Sequence, residues 1–420
     1  MRDADVAIVG AGPAGIAAAV RASQSGARAL VLDRGLAAGG QIWRQGPGTH
    51  IPALGRGWLR TLAASGASVV ASASVTDIAI GRDGAFTLFF ERNGDADRVT
   101  ARAIVLATGA RERFVPFPGW TLPGVVGIGG AQALLKSGAS FAGKRVVIAG
   151  SGPLLLPVAS SMTRAGARVM LVAEQARPAA AARFAAGLWR APATLAQAMR
   201  YRAGFARTRY SLGTWTVAAL GDDRVRAVTV SDGGRTRTIE CDVLCTGYGL
   251  VPSTEAARLL GCAVEHGAVV VDEDQETTVA NVYAAGEATG VGGAELAITE
   301  GEIAGGAARG RRGEGASLAG RRARGRHHAR RLDEAFALRD ELRAAATPES
   351  IVCRCEDIAV GEIRAHWTAR QAKLYTRCGM GPCQARVCGP ALEFLYGWAP
   401  DSVRAPLEPA RVSTLIDSTT

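Results

Sequence analysis

Close to the amino end of the sequence stands Val6-Ala-Ile-Val-Gly-Ala-Gly-Pro-Ala-Gly15, followed by a helix-like apolar run. A β-rich run that ends in Gly10, Gly12 and Gly15 is typical of a dinucleotide-binding βαβ unit, because these glycines tighten the turn and let the backbone approach a pyrophosphate. The following helix offers unpaired N–H groups to the phosphates. The next strand-like run, Ala29-Leu-Val-Leu-Asp33, ends in an acid placed to bind an adenosine ribose. The candidate cofactor-binding residues of this unit are Gly10, Gly12, Pro13, Ala14, Gly15, Asp33 and Arg34.

The composition predicts a globular protein of two or three domains. The 420 residues are 48% hydrophobic and 21% charged, which suits a sizeable core and argues against disorder. The net charge of +11 suggests a nucleic-acid partner, but much of it lies between Arg309 and Arg331. No aromatic residue lies among these arginines, so we expect no nucleic-acid surface. A solvated linker is the favoured interpretation, and docking on an acidic partner protein is the second.

The N-terminal residues and the hydropathy predict a cytoplasmic chain. Met1 to Asp5 is short and polar, so no signal peptide is expected. Glycine, proline, arginine and serine interrupt each apolar run, so no membrane span is expected. Eight cysteines in such a compartment favour metal or redox chemistry over structural disulfides. The five histidines are scattered, and no catalytic acid or base is predicted in this chain.

Three further glycine-containing segments resemble parts of a flavin site. Gly39-Gly-Gln-Ile-Trp43 is a loop that could bring backbone close to a flavin, without the reactive cysteine that often follows it in disulfide reductases. Ala103-Ile-Val-Leu-Ala-Thr-Gly109 resembles the motif with which FAD enzymes of paired Rossmann domains return the chain past the flavin. Asn281-Val-Tyr-Ala-Ala-Gly-Glu287 resembles the second FAD fingerprint, whose acid, usually an aspartate, binds the ribityl chain. The candidate residues of these segments are Gly40, Gln41, Ala107, Thr108, Gly109, Gly286 and Glu287.

A second strand–turn–helix pattern, Val146-Val-Ile-Ala-Gly-Ser-Gly-Pro-Leu-Leu155, predicts a duplicated Rossmann-like domain. Leu155 stands where the third glycine belongs, and a leucine obstructs close packing of the helix on the strand. Two interpretations of this domain therefore remain open. Either the fold is retained with a weak or lost NAD(P)H site, or the NAD(P)H site still works.

Five of the eight cysteines fall between residues 353 and 388, which argues against unrelated free thiols. Four thiolates from a C-x-C and a C-x4-C pair can converge on one metal centre. Structural zinc sites usually use C-x2-4-C pairs, whereas this pattern resembles the 2Fe–2S module of bacterioferritin-associated ferredoxin. A one-electron centre beside a flavin can also accept the two electrons of the reduced flavin one at a time. The favoured centre is 2Fe–2S with the ligands Cys353, Cys355, Cys383 and Cys388, and Cys378 remains as a neighbouring thiol or an alternative ligand.

The whole chain resembles the alpha subunit of heteromeric flavin-dependent amino-acid and opine dehydrogenases. This group includes the A subunit of opine oxidase, the alpha subunit of D-hydroxyproline dehydrogenase and the B subunit of hydrogen cyanide synthase. The segments that carry the resemblance are Gly10 to Gly15, Gly39 to Trp43, Phe117-Pro-Gly-Trp-Thr-Leu-Pro-Gly124, Gly150 to Leu155, Cys353-Arg-Cys-Glu356 and Gly379-Met-Gly-Pro-Cys383.

The resemblance implies a partner beta subunit, similar to D-amino-acid and glycine oxidases, that dehydrogenates the C–N bond of an amine. This chain would then relay electrons through FAD and the 2Fe–2S cluster to a quinone or dye-like acceptor, and a second flavin such as FMN, shared with the partner, is compatible with it. The resemblance also leaves room for a small gamma subunit, and for attachment to the inner face of the membrane. Some distant relatives hold ATP in place of FAD, but Glu287 and the helix that follows it favour FAD.

The predicted fold class is α/β, with two Rossmann-like dinucleotide-binding domains of the disulfide-reductase flavoprotein type and a small C-terminal α-helical cysteine-cluster domain. The predicted division is a discontinuous FAD-binding domain (1–115 and 250–308), a degenerate NAD(P)-type domain (116–249), an Arg-rich linker (309–345) and a 2Fe–2S-binding domain (346–420). A stand-alone NAD(P)H-dependent FAD reductase that passes electrons to an iron–sulfur centre is the alternative function. A zinc-clasped, nucleotide-stabilised scaffold is the non-catalytic one.

Overall fold

The computed structural model describes residues 2–24, 26–47, 49, 51–398 and 403–419. The chain divides into two compact units. The first unit contains Met1–Arg111, Val251–Ala329 and Ser402–Thr420, and the second contains Glu112–Leu250 and Arg330–Asp401. The sequence places the cysteine segment in a separate domain, whereas in the structure this segment belongs to the second unit and the last residues belong to the first.

The strands are β1 (Arg2–Val9), β2 (Ala29–Leu32), β3 (Ser68–Val70), β4 (Ala73–Ile80), β5 (Phe86–Arg92), β6 (Asp95–Leu106), β7 (Ala110–Glu112), β8 (Val125–Gly127), β9 (Arg145–Ser151), β10 (Arg168–Glu174), β11 (Arg209–Leu212), β12 (Trp215–Leu220), β13 (Ala227–Ser231), β14 (Thr236–Glu240), β15 (Val243–Tyr248), β16 (Leu250–Pro252), β17 (Val264–Glu265), β18 (Ala268–Val269), β19 (Val282–Ala284), β20 (Ile351–Cys353) and β21 (Ile358–Ala359). The α-helices are α1 (Pro13–Ser23), α2 (Ala53–Ala64), α3 (Ile128–Lys136), α4 (Leu155–Arg164), α5 (Pro178–Ala186), α6 (Pro192–Ala203), α7 (Glu255–Leu259), α8 (Ala294–Ala308), α9 (Ala319–Ala335), α10 (Ala369–Thr376), α11 (Cys388–Tyr396) and α12 (Val412–Thr419). Short 3-10 helices cover Gly187–Arg190, Gly286–Thr289, Glu314–Leu318, Asp340–Ala345 and Val360–Glu362.

The first unit is built on a sheet in which β1 lies at the centre. The strand order is β3-β2-β1-β6-β5-β4, and β19 pairs with the C-terminal end of β6. Strands β1, β2, β3, β6 and β19 are mutually parallel. Strand β5 pairs antiparallel with β6, and β4 pairs antiparallel with β5. Val6, Ala7 and Ile8 are fully buried, as expected for a parallel strand covered on both faces. The carboxyl ends of these parallel strands meet at one edge, where a nucleotide binds in such sheets.

Helices α1 and α8 contact each other through small residues. A Cβ on Gly301 would lie 2.2 Å from the carbonyl oxygen of Ala14, and a Cβ on Gly305 would lie 2.2 Å from that of Ala18. Only glycine allows the two backbones to approach so closely. This packing fixes α8 beside the helix that begins at the phosphate-binding loop.

The second unit contains a five-stranded parallel sheet with the order β11-β10-β9-β15-β8. A separate antiparallel sheet consists of β12, β13 and β14. Leu155, at the position of the missing third glycine, is the first residue of α4 and is fully buried in the core with Ile148 and Val172. The leucine therefore serves the packing of α4, and the prediction of two Rossmann-like domains is confirmed.

The cysteine-containing part of the second unit consists of the β20–β21 hairpin, α10 and α11. The indole N–H of Trp120 donates a 2.6 Å hydrogen bond to the carbonyl oxygen of Ile351 and ties the hairpin to the rest of the unit. The small helical cysteine-rich region expected from the sequence is therefore present, with a short hairpin added. Among the described residues, no helix is both long and apolar enough to cross a membrane.

The Arg-rich segment differs from the solvated linker favoured by the sequence. It contains the 17-residue helix α9, and in the first unit several of its arginines are bound to other elements, among them Arg322 and Arg326. Arg322 donates to the carbonyl oxygen of Glu273, and Arg326 pairs with Glu300. Composition alone does not show this arrangement, because a docked arginine and a solvated one are identical in the sequence.

Candidate functional site

The loop between β1 and α1 forms an open cradle. A Cβ on Gly10 would lie 2.3 Å from the carbonyl oxygen of Ala107, and one on Gly15 would lie 1.8 Å from that of Gly10, so both positions require glycine. A Cβ on Gly12, in contrast, would meet no atom within 4 Å. Helix α1 begins at Pro13 without a side-chain cap and without an acidic residue in its first turn. Its free N–H groups, among them that of Ala14, therefore suit a phosphate group lying over Gly12.

Asp33 follows β2 and turns its carboxylate back to this loop. Its Oδ2 accepts a 2.5 Å hydrogen bond from the N–H of Ala11, and its Oδ1 accepts one of 2.6 Å from the N–H of Gly35. Each carboxylate oxygen can accept more than one hydrogen bond, so capacity remains for a ribose hydroxyl. Arg34 is exposed and forms an ion pair of 3.5 Å with Glu408.

The glycine-rich loop after Asp33 lies against the phosphate-binding loop. The N–H of Gly39 donates a 2.8 Å hydrogen bond to the carbonyl oxygen of Ala11. Gly40 has a φ of +57°, and a Cβ there would lie 2.9 Å from the Cα of Gly12. Gln41 is exposed and accepts a hydrogen bond from Arg44. Of the two predicted residues in this loop, Gly40 therefore lies against the cradle, and Gln41 is an exposed residue bound to Arg44.

The residues that follow β6 form another side of the cradle between β1 and α1. The N–H of Ala107 donates to the carbonyl oxygen of Val9, which continues the sheet to the edge of the cradle. The hydroxyl of Thr108 donates a 2.6 Å hydrogen bond to the carbonyl oxygen of Ser253. Gly109 has a φ of +72° and open space where a Cβ would project. These three predicted residues thus form a turn that leads the chain away from the cradle.

Gly286 and Glu287 follow β19 at the same edge of the sheet. Gly286 has a φ of +75°, and a Cβ there would lie 2.7 Å from the Cβ of Ala14. Burial raises the pKa of the Glu287 carboxyl, and no described residue donates a hydrogen bond to it. A partly buried carboxylate that lacks donors from the protein can accept hydrogen bonds from hydroxyl groups such as those of a ribityl chain. The residues of the first unit therefore fit a flavin dinucleotide.

Sequence reasoning missed the buried ion pair behind the Gly286 turn. Glu300 is almost fully buried, and its Oε2 accepts hydrogen bonds from the N–H of Gly286 at 3.0 Å and the hydroxyl of Thr289 at 2.7 Å. Its Oε1 accepts a 3.0 Å hydrogen bond from Nε of Arg326. This carboxylate therefore holds the cofactor turn, and an arginine of α9 neutralises it. The concentration of arginines in 309–331 was the only signal in the sequence.

Replacing Arg326 by alanine is expected to lower the free energy of unfolding by about 2 kcal/mol, because Glu300 would remain buried without its counter-charge while Arg326 is itself partly exposed. The matched control is Arg324→Ala, an exposed arginine on the same helix, for which we expect a change within about 0.5 kcal/mol. Chemical denaturation of both variants measures the difference. Equal losses in the two variants would show that the ion pair does not stabilise the turn.

The second candidate centre is formed by cysteines of the second unit. Cys353 ends β20, Cys388 begins α11, and Cys378 follows α10. The three Sγ atoms lie within 4.8 Å of one another, and all three side chains are buried. Hydrogen bonds with the thiols of Cys378 and Cys388 lower the pKa of Cys353 to about 2. The same contacts raise the pKa values of Cys378 and Cys388, because the three thiols compete to hold their protons. Three soft sulfur ligands so close together suit a metal centre.

Cys355 and Cys383 form a more exposed pair beside this group. The backbone N–H of Cys383 and its thiol both interact with the Cys355 thiol, which is exposed, whereas Cys383 is half-buried. Gly381 makes the approach possible, since a Cβ there would lie 2.3 Å from the Cβ of Cys355. The structure therefore places Cys378 in one group with the predicted ligands Cys353 and Cys388. The other two predicted ligands, Cys355 and Cys383, form a separate pair.

The crevice of the second Rossmann-like fold is filled by the chain itself. The hydroxyl of Ser151, at the end of β9, donates a 2.8 Å hydrogen bond to the carbonyl oxygen of Phe336. The side-chain amide of Gln175 donates to the carbonyl oxygen of Ala337 at 3.1 Å and accepts from the N–H of Arg339 at 3.2 Å. Residues 336–339, here called the crevice segment, therefore cross the carboxyl ends of β9 and β10, where a dinucleotide lies in this fold.

The acid of this second fold keeps its structural role. Glu174 is fully buried, and its carboxylate accepts hydrogen bonds from the N–H groups of Gly152 at 2.8 Å and Ala176 at 2.9 Å, the same pattern that Asp33 shows in the first fold. Burial raises the pKa of Glu174 to about 7. The ring of Phe336 lies against the turn, 4.0 Å from the position of a Cβ on Gly152. The acid therefore still binds the turn, but the space over the turn is taken.

Comparison with known proteins agrees with the two folds. The model of the pyridine nucleotide-disulphide oxidoreductase family matches residues 4–302. The A subunit of opine oxidase from Agrobacterium tumefaciens (strain Ach5) is 32% identical over 98% of this chain and 91% of its own length. The HcnB subunit of hydrogen cyanide synthase from Pseudomonas aeruginosa is 31% identical over 91% of this chain and 90% of its own length. The structure of L-proline dehydrogenase from P. horikoshii covers 98% of this chain and 79% of its own, with a TM-score of 0.71 and 19% identity, and shares the fold.

Proposed function

The chain belongs to the pyridine nucleotide-disulphide oxidoreductase family and, within it, to the group of HcnB and the opine oxidase relatives, and we propose that it is the electron-relay subunit of a heteromeric dehydrogenase. In this proposal the chain carries FAD and a 2Fe–2S cluster. A partner subunit oxidises the C–N bond of an amino acid, D-hydroxyproline or an opine. Electrons then pass through this chain to a quinone or another acceptor.

The filled second crevice is the observation that carries this proposal. A stand-alone NAD(P)H-dependent reductase needs room for a nicotinamide dinucleotide at the carboxyl ends of β9 and β10. The crevice segment takes this room through hydrogen bonds to Ser151 and Gln175. A chain that receives electrons from a partner needs no such site, so the closed crevice favours the relay over the reductase.

The residues of the first unit have distinct roles in holding FAD. The free N–H groups at the start of α1 and the open face of Gly12 bind the pyrophosphate, and Asp33 binds the ribose. Glu287 binds the hydroxyl groups of the ribityl chain, since its carboxyl is partly buried and no described residue donates a hydrogen bond to it. When bound, FAD supplies two-electron redox chemistry, and this chain contributes position and polarity.

The cysteine geometry supports a 2Fe–2S cluster with the predicted ligands. Such a cluster takes two thiolates at each iron. Cys355 and Cys383 form one pair, and Cys353 and Cys388 belong to the buried group that supplies the other. Cys378 is then a fifth, non-ligating thiol beside the cluster.

The partner implied by this proposal is a catalytic beta subunit resembling D-amino-acid and glycine oxidases, with a shared FMN and a small gamma subunit as further components. The opine oxidase and HcnB relatives are themselves named as subunits. The assembly would lie in the cytoplasm or at the inner face of the membrane. The amine pocket would then belong to the partner chain.

The test is the visible spectrum of the chain, purified anaerobically with and without a candidate beta subunit, together with flavin, iron and zinc analysis. We expect flavin bands with broad iron–sulfur absorption that bleach only when the partner and an amine are both present. NAD(P)H alone should leave the spectrum unchanged. Bleaching by NAD(P)H without a partner would favour the reductase instead. Zinc without iron would show that the cysteines form a structural zinc site and carry no electrons.

A further inference from the structure

The segment that contains α10 is basic, whereas the acidic residues Glu356, Asp357 and Glu362 precede it in the chain. Residues 363–392 contain five basic residues and no aspartate or glutamate. The basic residues are Arg364, Arg370, Lys373, Arg377 and Arg386. Arg364, Arg370 and Arg377 are exposed, and Lys373 is partly exposed. This charge therefore faces outward on the short helix α10 and on the loops at both of its ends.

Exposed apolar side chains lie among these charges. Leu374 and Tyr375 on α10 are 68% and 67% exposed, and Met380, in the loop between Cys378 and Cys383, is 44% exposed. The ring of Trp367 lies 5.1 Å from that of Tyr375 and supports it. An apolar centre with a charged rim is the composition of a protein-docking surface.

This surface adjoins the exposed side of the cysteine centre. Arg377 forms an ion pair of 2.8 Å with Glu356, the residue that follows the exposed Cys355. The carbonyl oxygen of Arg377 accepts a hydrogen bond from the N–H of Met380. Gly381, the next residue, lies against Cys355. A molecule seated on Leu374, Tyr375 and Met380 therefore touches the part of the protein where the centre comes closest to solvent.

We infer that Arg370, Lys373, Leu374, Tyr375, Arg377 and Met380, here called the α10 surface, dock an acidic one-electron redox protein. This inference rests on the proposed function, since it places the electron exit of the relay at the cysteine centre. In each encounter one electron leaves the reduced centre and reduces the oxidised partner, and no covalent bond or proton is exchanged. Basic charge steers an acidic partner and sets its orientation, and the small apolar centre gives the short-lived contact that electron transfer needs.

An anionic membrane is the less suitable occupant of this surface. Helices that lie in a membrane interface present a long apolar face, and α10 has eight residues with two exposed apolar side chains. A protein partner needs only a small contact at the centre, which this surface provides. Binding to phosphatidylserine vesicles, in place of an acidic protein, would contradict the inference.

The test compares two one-electron acceptors of opposite charge, acidic plastocyanin and basic cytochrome c, with the full chain reduced by dithionite in stopped-flow measurements. We expect plastocyanin to oxidise the chain faster at low salt and this advantage to disappear at high salt. The double variant Arg370→Glu with Lys373→Glu should lower the plastocyanin rate by about tenfold to a hundredfold and raise the cytochrome rate. The control, Arg324→Glu with Arg330→Glu, makes the same charge change at exposed positions of α9 and should leave both rates unchanged.

Binding of copper-free plastocyanin, measured by biolayer interferometry, separates this inference from the proposed function. Iron content and the visible spectrum report on the relay, whereas binding of the metal-free protein reports on the α10 surface alone. Loss of binding in the α10 variant and not in the α9 control supports the docking surface whatever metal the cysteines hold. Equal binding by both variants overturns it even when the iron–sulfur spectrum is present.

Discussion

Replacing Gly12 by valine is expected to abolish flavin binding while the chain keeps its fold. Gly12 has an extended backbone, with a φ of −75° and a ψ of −175°, which valine adopts without strain. Its Cβ would meet no protein atom within 4 Å, so the added side chain projects into the space that we assign to the pyrophosphate. We expect the affinity for FAD to fall by about a hundredfold or more. The loss of a good N-cap residue should cost the folded state only about 1 kcal/mol.

Two companion variants make this result interpretable. Gly15→Val places a Cβ only 1.8 Å from the carbonyl oxygen of Gly10, so it should lose the fold together with the flavin. Gly57→Val, on α2, also adds a side chain where no atom lies within 4 Å, and it should keep both. Flavin content after purification and circular dichroism of the apoprotein distinguish these outcomes. If Gly12→Val retains its flavin, the pyrophosphate does not lie over this turn.

The parts of the site that could be predicted from the sequence are those fixed by local chemistry. Gly10 and Gly15 were predictable because each lies within a turn where any side chain would collide with neighbouring backbone. Asp33 was predictable because the end of the second strand in a parallel sheet lies beside the first turn, and its carboxylate does accept the N–H of Ala11. The fold class followed from two copies of the same pattern. Arg34 and Gln41 stay predictions, since in the structure they are exposed residues that pair with Glu408 and Arg44.

The remaining features depend on contacts between distant segments. Glu300 and Arg326 are 26 residues apart, and Ser151 and Phe336 are 185 residues apart. No periodicity or motif encodes such pairs, since each residue alone resembles an ordinary surface residue or core residue. The filled crevice therefore could not be predicted, although Leu155 indicated that the second site was altered. Cys378 was predicted to be a neighbouring thiol or an alternative ligand, but its spacing along the chain does not reveal which thiols it approaches.

Replacing Cys388 by serine is expected to remove the iron–sulfur absorption completely, whereas Cys378→Ser should retain it. Both thiols belong to the buried group with Cys353, so each change replaces one sulfur atom by oxygen in similar surroundings. In a 2Fe–2S cluster the four thiolates are used in pairs, and Cys355 with Cys383 supplies one pair. Cys388 and Cys353 then supply the second pair. Cys378 should therefore be dispensable for the metal.

A zinc centre predicts the opposite result for Cys378. Zinc takes four ligands around one ion, and the three buried thiols already lie within 4.8 Å of one another, so each of them would be a ligand. Cys378→Ser would then lose metal as severely as Cys388→Ser. Cys355→Ser provides the third comparison, because it should destroy a 2Fe–2S cluster and affect a zinc site only if Cys355 is the fourth ligand. Metal analysis and visible spectra of the three variants thus identify the metal and its ligands together, and retention of iron in Cys388→Ser would refute the proposed pairing.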